Sequence, residues 1–181
     1  MVTQTFRGGE ALRKKLADLA KNIGDGGTLN VGFLEGSTEQ DGTSLPMVAA
    51  IQEFGAPNVN IPSRPYFRTM IKDNEGHWGD DLGKLLVANN YDVDKSLRLM
   101  GEEMKAELQQ SIIDLTDPPL SAVTLMLRQM RVNDPDLIVT RATVGEAARR
   151  VSAGETASGV SEKPLVDTGS MLNGIDYQVE T

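Results

Sequence analysis

The sequence has no cysteine, which excludes disulfides, thiolate chemistry and Cys-based zinc sites. It has one histidine, and aromatic residues make up only 4% of it. Large buried side chains are therefore scarce, while 18 glycines in 181 residues predict many loops. No run of about 18 apolar residues occurs, so no segment reads as a membrane span. Residues 1–9 lack an apolar stretch, which predicts no signal peptide. The lack of cysteine also fits a reducing cytoplasm. The net charge is −8. That balance disfavours a protein whose task is to hold duplex DNA, because such affinity comes from Lys and Arg on phosphates. It suits a wall past which DNA slides, and equally a surface kept soluble by its charge.

What is present reads as a mixture of helices and a few strands. Leu12, Leu16, Leu19 and Ile23 recur at helical spacing over residues 10–23, with Arg13, Lys14, Asp18 and Lys21 on the other face. Gly24 and the Asp25-Gly26-Gly27 run stop that helix. Leu29, Val31 and Phe33 then alternate as a strand. Residues 35–45 are polar and predict a mobile surface loop. A short helix over residues 47–54 follows Pro46, with Val48, Ile51 and Gln52 expected inward and Gly55 as its C-cap. Three prolines stiffen residues 56–65, and a helix is predicted from Pro65. Gly76 and Gly79 make residues 73–81 a poor helix interior, expected to bend.

The clearest periodicity runs over residues 93–113, where Val93, Leu97, Met100, Met104, Leu108 and Ile112 form one stripe. Ser121 is a candidate N-cap for a helix reaching Met130. Residues 131–160 differ in character and read as an insertion or arm, helical around residues 143–151. Asp167 or Thr168 is placed to cap a short helix ending near Leu172. Ile175, Tyr177 and Val179 alternate as a final strand, expected antiparallel to the first. The expected fold is α+β: one domain over residues 1–181, with a small antiparallel sheet, about four helices, a mobile loop and the arm at 131–160.

Chemical motifs are weak. The run Asp73-Asn74-Glu75-Gly76-His77-Trp78-Gly79-Asp80-Asp81 combines carboxylates with the lone histidine, but its spacing fits no EF-hand loop, and it reads as a solvated acidic bend. His77 has no Gly-x-Ser-x-Gly elbow to serve. Gly24-Asp25-Gly26-Gly27 lacks the Lys-Ser/Thr ending of a phosphate loop. Met100 and Met104 read as core. No catalytic, cofactor or metal residues are expected.

Four blocks in order resemble the tail-completion family of long-tailed bacteriophages, which includes minor tail, neck and virion-morphogenesis proteins. The first is the amphipathic helix followed by Val31-Gly32-Phe33. The second is Met47-Val48-Ala49-Ala50-Ile51-Gln52-Glu53-Phe54-Gly55. The third is Ile61-Pro62-Ser63-Arg64-Pro65-Tyr66-Phe67-Arg68. The fourth is Lys163-Pro164-Leu165-Val166-Asp167-Thr168-Gly169-Ser170-Met171-Leu172-Asn173-Gly174-Ile175. Pro118-Pro119-Leu120-Ser121 with Thr124 resembles a further family stretch, which in many relatives lies close to the fourth block. Here residues 131–160 intervene, so the resemblance says nothing of them.

The resemblance implies a non-enzymatic virion protein that forms a ring at the head–tail junction or proximal tail, in the virion and, during assembly, in the host cytoplasm. Six copies are implied because such rings are commonly six-fold. The implied partners are further copies and other neck or tail proteins, with DNA passing the channel unbound, no membrane and no cofactor. A DNA-contacting packaging or capsid accessory factor is the alternative. A metal-dependent hydrolase built on residues 73–81 is a more distant one. Arg64, Tyr66, Phe67 and Arg68 carry the residue types enriched at interfaces and are the candidate subunit contact. Tyr66 and Phe67 serve equally well as core in a chain this poor in aromatics. Glu39 and Asp41 are candidates for a loop facing the channel or an adjacent ring.

Overall fold

The computed structural model of the chain describes residues 9–39 and 42–180. They form a mixed α+β fold of seven helices and one two-stranded antiparallel sheet. In chain order these are α1 (Gly9–Ile23), β1 (Thr28–Phe33), α2 (Leu45–Phe54), a single 3-10 turn (Pro57–Val59), α3 (Tyr66–Ala88), α4 (Val93–Asp114), α5 (Ala122–Asn133), α6 (Arg141–Ser152), α7 (Ser170–Asn173) and β2 (Ile175–Glu180). The chain divides into two compact units. Among the described residues, one comprises 9–32, 71–107 and 176–180, the other 33–39, 42–70 and 108–175.

In the first unit the strands β1 and β2 pair, and α4 supplies buried Leu97 and Met100. Tyr177 of β2 lies flat against α4 at Gly101. A Cβ there would sit 2.5 Å from the ring, so only glycine admits the contact. The Tyr177 hydroxyl donates to Glu102 at 3.0 Å, and Lys105 pairs with Asp176 at 3.2 Å. These contacts tie the last strand to α4. Between α3 and α4 the chain reverses through Asn90 and Tyr91, both left-handed, and Asn22 at the end of α1 donates to the Asn90 carbonyl at 2.8 Å.

Residues 73–81 do not break the helix. They lie inside α3, a continuous helix of 23 residues. The half-buried positions are Ile71, Asn74, His77, Trp78, Asp81, Leu82, Leu85 and Leu86, a helical face, whereas Gly76, Gly79 and Gly83 all fall on the exposed side. Three of the inward positions are polar, so the apolar pattern alone understates the helix. The exposed glycines weaken it by up to about 1 kcal/mol each without breaking it.

The second unit has the larger core: Leu45 and Ala49 of α2, Tyr66 and Met70 of α3, Leu108 and Ile112 of α4, Met126 of α5, Ala147 of α6, and Leu165, Met171 and Ile175 near the C-terminus are all buried. The inward stripe of α2 is Leu45, Ala49 and Glu53, one position away from the expected Val48 and Gln52, which are half-buried with Ile51. Ser121 caps α5, its hydroxyl accepting from the Thr124 N–H at 3.1 Å. Residues 131–160 include α6, capped by Thr140, which packs on α5 through the fully buried Ala147. The N-cap of α7 is Gly169, with the Thr168 hydroxyl accepting from Ser170 N–H at 3.3 Å; Asp167 is engaged elsewhere.

Candidate subunit interface and the joints beneath it

The third block is built on a close approach of two backbones. Gly55 ends α2 at φ 76°, and a Cβ there would lie 2.7 Å from the Ser63 nitrogen. The glycine thus permits both the left-handed turn and the contact. Ala56 and Ile61 bridge across the 3-10 turn, and the Arg64 N–H donates to the Gln52 carbonyl at 2.8 Å. Pro65 then leads directly into α3.

Glu53 is the centre of this arrangement. It is buried at the end of α2, and its carboxylate faces the first turn of α3. It accepts from the Phe67 N–H at 2.9 Å, from the Arg68 N–H at 3.4 Å and from Arg68 Nε at 2.7 Å. A carboxylate from one helix therefore caps the next, satisfying N–H groups that have no partner within their own helix and countering the positive end of the helix dipole. The Arg68 guanidinium also donates to the Glu53 carbonyl at 3.2 Å and sits 5.3 Å from the Phe54 ring centre.

The four candidate contact residues separate on this geometry. Arg64 is buried, with Nη1 donating to Gln52 Oε1 at 3.0 Å and Nε directed at the Pro118 carbonyl at 3.4 Å. Burial, and then the positive charge of Arg128, push its pKa down. Tyr66 is buried too, its hydroxyl donating to the Ala49 carbonyl at 3.2 Å and its ring meeting Phe33 edge-on. Burial, then the Glu53 charge, push its pKa up. Both side chains are spent inside the chain and are withdrawn as contact residues. Phe67 is half-buried, while the Arg68 side chain remains 58% exposed beside the exposed Phe54. Arg68 of this block and Phe54 of the second are presented outward together.

A second joint gathers the other blocks. Arg128 of α5, buried, donates to the carbonyls of Ser161 at 2.6 Å, Lys163 at 2.9 Å, Pro164 at 3.1 Å and Val166 at 3.2 Å. Its Nε lies 3.5 Å from Asp167, which also pairs with Arg131 at 3.2 Å. Burial lowers the Arg128 pKa, with Asp167 opposing. Arg64 and Arg128 share the wall of one cleft of about 340 Å³ with Pro62, Leu120, Pro164 and Asp167. Three segments far apart in sequence thus meet there: Arg64 of the third block reaches the Pro118 carbonyl, and Arg128 holds the carbonyls of the fourth.

Glu39 is half-buried in a turn fixed by its own N–H to the Thr43 carbonyl at 2.8 Å and by the Thr38–Ser44 bridge. It lines a cleft with Arg131 and Ile138. Asp41 lies outside the described residues. Glu53, Phe54 and Arg128 were missed as organising residues. The signals for Glu53 and Phe54 lay within the second block, but Arg128 belongs to no motif. No family model, curated protein or solved structure matches this chain.

Proposed function

We propose that this chain is a structural, non-enzymatic subunit of a tailed phage's neck or proximal tail, assembling with copies of itself into a closed ring. The phage assignment rests on the four ordered blocks. The observation that carries self-assembly is α1. Its Leu12 and Leu16 are 57% and 56% exposed, and Ile23 follows on the same stripe at 43%. A helix of this length is marginal in water and gains its stability from covering its apolar face. Among the described residues that face is left open.

The charge of α1 favours a second copy as the cover. The helix carries four basic and two acidic residues, a net +2 in a chain of net −8, so the remainder carries −10. A positive, apolar helix meeting the acidic remainder of a neighbour is a head-to-tail contact, the kind that closes into rings. Among the described residues no helix is long and apolar enough to cross a membrane. The test is Leu16→Glu with mass measured by light scattering over a range of concentrations. The parent is expected to form a closed oligomer, and the variant to remain monomeric with unchanged circular dichroism. A variant that assembles like the parent, or virions lacking density for this chain in neck and tail, removes the reading.

A further inference from the structure

The only histidine of the chain stands where two helices of the first unit face each other. His77 of α3 directs Nδ1 at Asp81 Oδ2, 2.8 Å away, and Nε2 at Glu107 Oε1 of α4, 3.3 Å away, with Asn74 Oδ1 also 3.3 Å from Nε2. Glu103 lies one turn before Glu107. One ligand atom each from His77, Glu103 and Glu107 fall within 4.8 Å of one another.

Two physical features mark this cluster. Nε2 faces the Glu107 carboxylate oxygen at 3.3 Å, a contact that needs a proton or a metal cation between the two atoms. Next, Lys84 pairs with Asp81 at 2.6 Å and its charge also acts on Glu103, but no Lys or Arg nitrogen comes within ion-pair distance of Glu103 or Glu107 among the described residues. The two carboxylates converge on the imidazole, and a divalent cation placed among the three balances their charge.

The surroundings also orient the donors. A metal on Nε2 requires the ring proton on Nδ1, and Asp81 Oδ2 lies 2.8 Å away to accept it there, the arrangement characteristic of zinc-binding histidines. Trp78 Nε1 donates to Glu107 Oε2 at 2.8 Å, leaving Oε1 for coordination. We infer that His77, Glu103 and Glu107 form a Zn²⁺ site that clamps α3 to α4, with water completing the coordination through the half-exposed imidazole. One nitrogen and two carboxylates suit zinc, whereas magnesium demands a near-octahedral oxygen shell. Sequence spacing set metal binding aside because it showed only residues 73–81; the two glutamates arrive from another helix.

Trp78 is the only tryptophan, so the site carries its own reporter. Untagged full-length protein is titrated with zinc chloride, following tryptophan emission and heat. The expected result is one zinc per chain with a saturable emission change, no response to magnesium, and binding weakened about tenfold or more in His77→Gln and in Glu103→Gln. Glu103→Gln preserves the shape of a half-buried side chain and decides the matter if His77→Gln misfolds. No zinc response in the parent, or parental affinity in Glu103→Gln, overturns the assignment.

Discussion

Replacing Glu53 with alanine tests the joint between α2 and α3. The substitution removes a carboxylate that caps two N–H groups of α3 and pairs with Arg68. Loss of a helix cap costs about 1 kcal/mol, with a range of about 0.5–2. The pair with Arg68 adds at most about 1 kcal/mol, because the arginine side chain is 58% exposed and solvent screens it. The expected loss is therefore about 1–3 kcal/mol. In a chain of this size that corresponds to a fall in Tm of about 2–12 °C. Arg68→Ala removes only the exposed partner, leaves both backbone N–H groups on the carboxylate, and is expected to cost about 1 kcal/mol. Urea unfolding reads the difference as a fall in midpoint at constant slope. If Glu53→Ala unfolds within about 0.5 kcal/mol of the parent, or if Arg68→Ala is the more damaging, the cap is not what secures α3.

Two further outcomes follow from the buried arginine and from the surface carboxylates. Arg128→Met strands carbonyls that now share one guanidinium, and should cost about 3 kcal/mol in urea unfolding. Arg128→Lys should recover less than half, since an ammonium cannot reproduce the planar fork; full recovery by lysine would show that charge alone suffices. Asp94, Glu146 and Asp176 titrate below their usual range, through Arg98, Arg150 and the Tyr177 backbone N–H respectively. Their folded pKa values are depressed, so the stabilisation is present above the ordinary carboxylate range and is lost as pH falls below about 4. A urea midpoint that rises between pH 5 and 3 would contradict this.

Much of the secondary structure was legible because apolar spacing carries it. The stripe of α4 from Leu97 to Ile112, the alternation of β2 and the Ser121 cap all follow from local chemistry. The α3 helix was obscured because Asn74, His77 and Asp81 occupy inward positions, while its glycines face solvent. The site residues were harder to read because their partners are distant. Glu53 reaches N–H groups 14 and 15 residues on, Arg128 reaches carbonyls more than 30 residues on, and Glu107 lies opposite a histidine 30 residues earlier. No periodicity records such pairings.

The same distances change what the ordered blocks mean. Arg64 and Tyr66 are types enriched at interfaces, yet one is 6% and the other 2% exposed, and their polar atoms are bonded within the chain. The parts of these blocks lock together within the chain: Gly55 admits Ser63, Glu53 caps α3, and Arg64 reaches Pro118. Arg64→Ala would therefore report on folding, and a loss of assembly in that variant would carry no information about a contact. The side chains that the fold leaves open are instead Arg68, beside Phe54, and the leucines of α1, the candidates for a contact. Of these, α1 is the stronger case. Arg68 already has Glu53 as its partner, whereas Leu12 and Leu16 leave more than half of their surface exposed.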